Sequence, residues 1–171
     1  LKTEQQKWVD FIPHAFYKRN RLKNKSYVFE NRLVVNKDKG RISVGMTYFN
    51  QVHFFDLSGT HIKSISIGED ILPTLRKNKL PTNESRRYCF DLYATNDYVY
   101  VLWGGQLLKD YKSNTISNAY VIVFNWEGEY IKTFNIGMSN FISVNPQNTI
   151  LVASGISLDG TSSIATYDIE N

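Results

Sequence analysis

The side chains able to do chemistry in this chain are few, and their spacing narrows what they can do. His14, His53 and His61 are far apart and match no metal-ligand spacing. The single Cys89 excludes an intrachain disulfide and any cysteine-based zinc site. Its setting, "RRYCFDLY", reads as a strand, in which cysteine serves as a small buried hydrophobe. No Gly-x-Ser-x-Gly elbow occurs, and no Ser or Cys nucleophile stands beside a base in local sequence. Gly104-Gly105-Gln106 lacks the strand–loop–helix setting of a phosphate cradle. Two sets remain. Glu30, Asp91 and Asn140 each stand near the start of an apolar strand, and three such groups meeting at one axis could hold a divalent ion. The second set is basic.

Four segments carry that second set: 13–25, 69–87, 104–117 and 154–161. They hold twelve of the 20 Lys and Arg residues against five acids, which is +7, while the whole chain is +4. A one-sided positive field favours anionic partners such as an acidic glycan, a phosphorylated polymer or an acidic protein. Nucleic acid fits less well, because aromatic residues are not interleaved with the basic ones outside "HAFYKRNR". Within these segments Arg76, Lys77, Arg86, Arg87 and Tyr111 are the candidate binding residues, with Tyr88 and Trp103 at their edges. Trp103 either packs between sheets or lines a pocket. Trp126 sits in a tight turn and reads as packing.

What must position these groups is legible as a repeat. "FDLSGTHIKSISIG" (55–68) and "FNWEGEYIKTFNIG" (124–137) share six of fourteen residues. Each alternates apolar and polar around a turn glycine, Gly59 or Gly128, the mark of two half-buried strands joined by a hairpin. A partial third copy closes the chain at "IATYDIEN". Ahead of each copy lies another strand pair, turning at Asn36–Gly40, Asn96–Asp97 and Asn145–Asn148. The unit is thus four antiparallel strands, and a repeat of this length and build predicts β-propeller blades. The units fall at 26–68, 88–137 and 138–171, the last without its outer strand. "QKWVDFI", within 1–25, reads as the outer strand of a preceding blade, followed by a basic connection, and 69–87 is a long basic inter-blade loop.

Composition agrees with an all-β chain. Aromatics make up 14% of 171 residues, with 11 Tyr and 10 Phe, side chains that suit pleated half-buried surfaces. No apolar run reaches the roughly 18 residues of a membrane span, and no secretory leader opens the chain.

The stretches Thr95–Trp103, Gly104–Gly105 and Val123–Gly128, "TNDYVYVLW", "GG" and "VFNWEG", resemble the TolB-like six-bladed propeller family of Bacteroidetes, with Asn125 where that family usually has Asp. The resemblance covers roughly 26–171. It implies the C-terminal half of a six-bladed ring, a periplasmic or cell-envelope location and many lipoprotein relatives. It supplies no active site.

The function expected from all this is a non-catalytic binding or scaffolding module, using its long basic loops to take an anionic ligand or partner protein, with no cofactor. The competing expectation is a metal-dependent propeller lyase or hydrolase centred on Glu30, Asp91 and Asn140. A homodimer completing the ring is the further expectation about partners.

Overall fold

The strands follow from alternation of apolar and polar residues where one face is exposed and from unbroken apolar runs where both are buried. The computed structural model describes residues 27–69, 71–76, 80–112, 119–137, 139–156 and 161–170. The segment 1–25, expected to hold an outer strand and a basic loop, lies outside these residues, as do Lys77 and the side chain of Tyr111. The first sheet is a meander of β1 (Asn31–Asn36), β2 (Arg41–Met46), β3 (Gln51–Asp56) and β4 (His61–Ser66). The middle sheet repeats it with β5 (Arg86–Ala94), β6 (Tyr98–Leu107), β7 (Tyr120–Asn125) and β8 (Tyr130–Asn135). The third has β9 (Phe141–Val144), β10 (Ile150–Ile156) and β11 (Ser162–Asp168). A short helix, α1 (Leu108–Lys112), follows β6. The three sheets are propeller blades.

Contacts between sheets run through their first strands, β1 against β5 and β5 against β9, so these three line the axis. The middle sheet has a neighbour on each side. Its sequence shows the consequence: Val99 to Trp103 on β6 and Val121 to Phe124 on β7 are unbroken apolar runs, and every one of these residues is buried. The core has a layer on each flank. Val52, Phe54, Val99, Val101, Phe124 and Trp126 fill the first, and Tyr100, Leu102, Val121, Ile142 and Leu151 belong to the second. The first two sheets approach so closely that a Cβ on Gly45 would lie 2.5 Å from Cys89 Sγ.

The turn chemistry repeats as well. Asp56 Oδ1 accepts from the backbone N–H of Thr60 at 2.8 Å, and Asn125 Oδ1 accepts from that of Glu129 at the same distance. The Asn-for-Asp exchange therefore preserves the bond that closes the turn, while Asn125 Nδ2 gains a contact to Glu129 Oε2 at 2.7 Å. At the short-turn end, side chains knit neighbouring blades together. Asn36 Nδ2 donates to Asn96 O at 3.1 Å, and Asn148 Oδ1 accepts from Thr95 Oγ1 at 2.6 Å and from the Tyr100 hydroxyl at 3.0 Å. Asn148 holds a φ of 61°, a backbone conformation that Asn tolerates better than most residues.

Three segments read as loops, 69–87, 104–117 and 154–161, are partly strand. Arg86 and Arg87 begin β5 and pair with Leu107 and Gln106, so Gly104–Gln106 belongs to β6. Ser154–Ile156 likewise extends β10. Irregularities in β5 at Arg87/Cys89 and Cys89/Asp91 absorb the register change that lets this pairing continue, as β-bulges do.

Candidate loop-end binding site

The inner strands all start at the end of the blades opposite the short turns. That end gathers Glu30 and Arg32 from the first sheet, Arg86, Arg87 and Asp91 from the middle one, and Asn140 from the third. Each is fixed by a specific contact. Arg32 Nε donates to Phe90 O at 3.2 Å, and its Nη1 lies 3.4 Å from Glu30 Oε1. Asp91 Oδ2 accepts from the backbone N–H of Ile142 at 2.9 Å, tying β5 to β9. Asn140 donates its own N–H to Ser154 O at 2.8 Å.

Each arginine of β5 makes a contact with a neutral group. Arg86 Nη1 donates to Gly105 O at 2.6 Å, and the Arg87 guanidinium lies 4.9 Å above the centre of the Phe90 ring. Such a face-on arrangement is a cation–π contact, worth about 0.5–1 kcal/mol at an exposed site. Burial raises the Tyr48 hydroxyl pKa, the charge of Glu30 raises it further, and Arg87 works against both. Tyr48 therefore belongs to the same neighbourhood. Arg76 is exposed on the 71–76 loop. Lys109 on α1 is engaged by Glu84, with Nζ 3.2 Å from Oε2.

Tyr88 and Trp103 stand behind this surface. They are 4% and 6% exposed, with ring centres 5.2 Å apart, and the Tyr88 hydroxyl donates to Ile71 O at 3.4 Å. Of the two readings of Trp103, the geometry gives packing. Cys89 is fully buried, and burial pushes its thiol up to about 12, which makes it inert.

The carboxylates of Glu30 and Asp91 face an arginine and a backbone amide respectively. Among the described residues no three His, Cys, Asp or Glu side chains gather closely enough to hold a metal ion. One pairing of histidines is not suggested by sequence spacing. His53 Nδ1 and His61 Nε2 both lie 2.7 Å from Ser64 Oγ, because the β3–β4 register sets His53 opposite Ser64 and Phe55 opposite His61. The hairpin at Gly59 was the signal that could have found it. Arg32 was also missed, since only its place at the start of an inner strand marks it. At the opposite end of the same strands a cleft of about 340 Å³ is lined by Asn36, Lys37, Asp38, Thr95, Asn96 and Pro146, among others.

Phe90 makes a testable link between packing and charge. A Cβ on Gly104 would lie 2.0 Å from Phe90 Cε2, so Gly104→Ala must displace the ring on which Arg87 rests. We expect a loss of roughly 1–3 kcal/mol by urea titration, as for overpacking elsewhere. Anion binding should weaken in the fraction that remains folded.

No family model matches this chain, and no curated protein matches it in sequence. Among solved structures it is similar to one described as the eukaryotic initiation factor, with a TM-score of 0.52 and 15% identity over 82% of this chain and 30% of that one. It is similar to a DUF4221 family member from Bacteroides vulgatus, with a TM-score of 0.51 and 15% identity, covering 82% of this chain and 46% of that one. The β-propeller domain of Cps50 (Swd1) from Myceliophteria thermophila aligns at a TM-score of 0.33 and 10% identity, over 96% of this chain and 58% of that one. The chain spans less than half the length of the first two. At such identities the likeness is one of fold alone.

Proposed function

We propose that this chain is a non-catalytic binding or scaffolding propeller module, which takes an anionic ligand or the acidic surface of a partner protein at its loop end. One observation carries the reading. Two consecutive guanidiniums, Arg86 and Arg87, stand at the mouth of the inner strand, the first donating to the Gly105 carbonyl and the second lying over the Phe90 ring. A guanidinium fixed in orientation is pre-organised for a ligand, and its planar fork suits carboxylate, sulfate or phosphate groups. Arg76 extends the positive surface outward. Arg32 supplies a third guanidinium, partly offset by Glu30. Tyr88 and Trp103 act from below, holding the strand that presents the arginines. An envelope location is part of the same proposal and is supported by the sequence resemblance.

The test is retention on heparin or sulfated-glycan resin at low salt. Arg86→Ala with Arg87→Ala should elute at clearly lower salt than the parent, with the urea midpoint little changed. Elution at the same salt by both proteins sinks the assignment of this face.

A further inference from the structure

The first and middle sheets build the same outer hairpin with different residues at three matched positions. Counting from the turn glycines Gly59 and Gly128, His53, His61 and Ser64 of the first sheet stand where the middle sheet has Ile122, Tyr130 and Thr133. The pairing is the same in both. His53 lies opposite Ser64 as Ile122 lies opposite Thr133, and Phe55 lies opposite His61 as Phe124 lies opposite Tyr130, with a register shift at the matching point. The blade therefore forms with isoleucine and tyrosine, and its fold asks for no histidine at either place. What the exchange produces is convergence. His53 Nδ1 and His61 Nε2 both lie 2.7 Å from Ser64 Oγ, with the ring centres 6.4 Å apart. His53 is buried, while His61 and Ser64 are exposed, so the point on which the three side chains meet opens to solvent on the β4 side.

We propose that His53 Nδ1 and His61 Nε2 form a binding site for a transition-metal ion of the zinc and copper class, with Ser64 Oγ beside it and water completing the coordination. Neutral imidazole is the commonest protein ligand for such ions, through either ring nitrogen, whereas magnesium and calcium prefer oxygen ligands. The two nitrogens are at most twice 2.7 Å apart. A tetrahedral ion with bonds of about 2.0–2.1 Å sets its ligand atoms roughly 3.4 Å apart. The exposed His61 side chain turns to close the difference, while the buried His53 ring gives the site a fixed wall. Burial lowers the His53 pKa to about 4, so at neutral pH this ring is uncharged and no second proton competes with the ion. In the metal-free pair one facing nitrogen carries its N–H towards the hydroxyl and the other accepts from it. Binding requires only that the donating ring take its other tautomer, which leaves both lone pairs facing the ion.

Calorimetric titration of the chain with zinc chloride and with copper(II) chloride at pH 7.5 tests the site. One ion per chain should bind saturably, copper more tightly than zinc, and magnesium chloride should give no such heat. His53→Ile and His61→Tyr install the residues of the middle sheet, so each should keep the circular dichroism spectrum of the parent and lose the saturable binding. His14→Gln removes the third histidine of the chain and should bind as the parent does. If His53→Ile fails to fold, His61→Tyr alone decides the matter, because that side chain is exposed. A parent that takes up neither zinc nor copper would overturn the proposal. So would binding that persists in either folded variant, or binding that disappears with His14.

Discussion

Trp126→Ala should cost about 3–5 kcal/mol, enough to leave much of the chain unfolded at 25 °C given typical domain stabilities of about 5–15 kcal/mol. The indole is 0% exposed, within the layer formed by Val52, Phe54, Leu92, Val99 and Trp103. Its Nε1–H donates to Thr95 O at 3.1 Å, so the turn between β5 and β6 is anchored to the turn between β7 and β8. Truncation therefore opens a large cavity between two sheets and leaves a carbonyl short of its donor. Trp126→Phe separates the two effects: it keeps most of the packing and should cost about 1–2 kcal/mol, the scale of one lost buried hydrogen bond plus a small void. The corresponding residue of the first blade provides the control. Leu57 is 51% exposed, and Leu57→Ala should change stability by no more than about 0.5 kcal/mol. Urea midpoints for the three variants decide the matter. Equal losses at Trp126 and Leu57 would mean that position in the repeat, and not burial, sets the energy.

That contrast also shows what the sequence could and could not reveal. The four-strand unit was readable because it rests on local physics: alternation of side chains, a glycine at each outer turn, an Asx side chain closing each hairpin. Gly59 and Gly128 do carry positive φ, at 80° and 73°. Trp126 was readable as packing for the same reason. What escaped were consequences of register and of the third dimension. Arg86 and Arg87 read as the end of the long basic connection 69–87, yet the irregular pairing of β5 sets them opposite Leu107 and Gln106. His53 and His61 looked unrelated at a separation of eight positions, but a hairpin makes such positions cross-strand neighbours. Arg32 bears no local mark, and only the packing of β1 on β5 gives it Phe90 O as a partner. The orientation of Arg87 over Phe90 depends on Gly104, a residue that reads in sequence as a loop glycine.

Acidification should destabilise the chain by about 3 kcal/mol through His53 alone. This imidazole is 2% exposed, and burial, with a smaller push from His61, lowers its pKa to about 4 from 6.5. The direction follows from proton counting. Between pH 6.5 and 4 the unfolded chain carries a proton on this residue that the folded chain does not, so lowering the pH favours unfolding. The stabilisation is complete above about pH 6.5 and declines as pH falls towards 4, below which both states are protonated and the loss stops growing. A difference of about 2.5 units at roughly 1.4 kcal/mol per unit gives the stated magnitude. The geometry explains the preference for the neutral ring. Ser64 Oγ lies 2.7 Å from both His53 Nδ1 and His61 Nε2, so one hydroxyl serves two imidazoles by donating to one and accepting from the other. With both rings fully protonated, neither could accept, and two cations with ring centres 6.4 Å apart would repel inside a sheet. His53→Asn keeps a polar group of similar reach without a titrating proton. Urea titrations of parent and variant at pH 7.5 and pH 4 give the double difference, in which carboxylate effects common to both proteins cancel. The parent should lose about 3 kcal/mol more than His53→Asn over that interval, and equal losses would mean that His53 is not the group that senses acid.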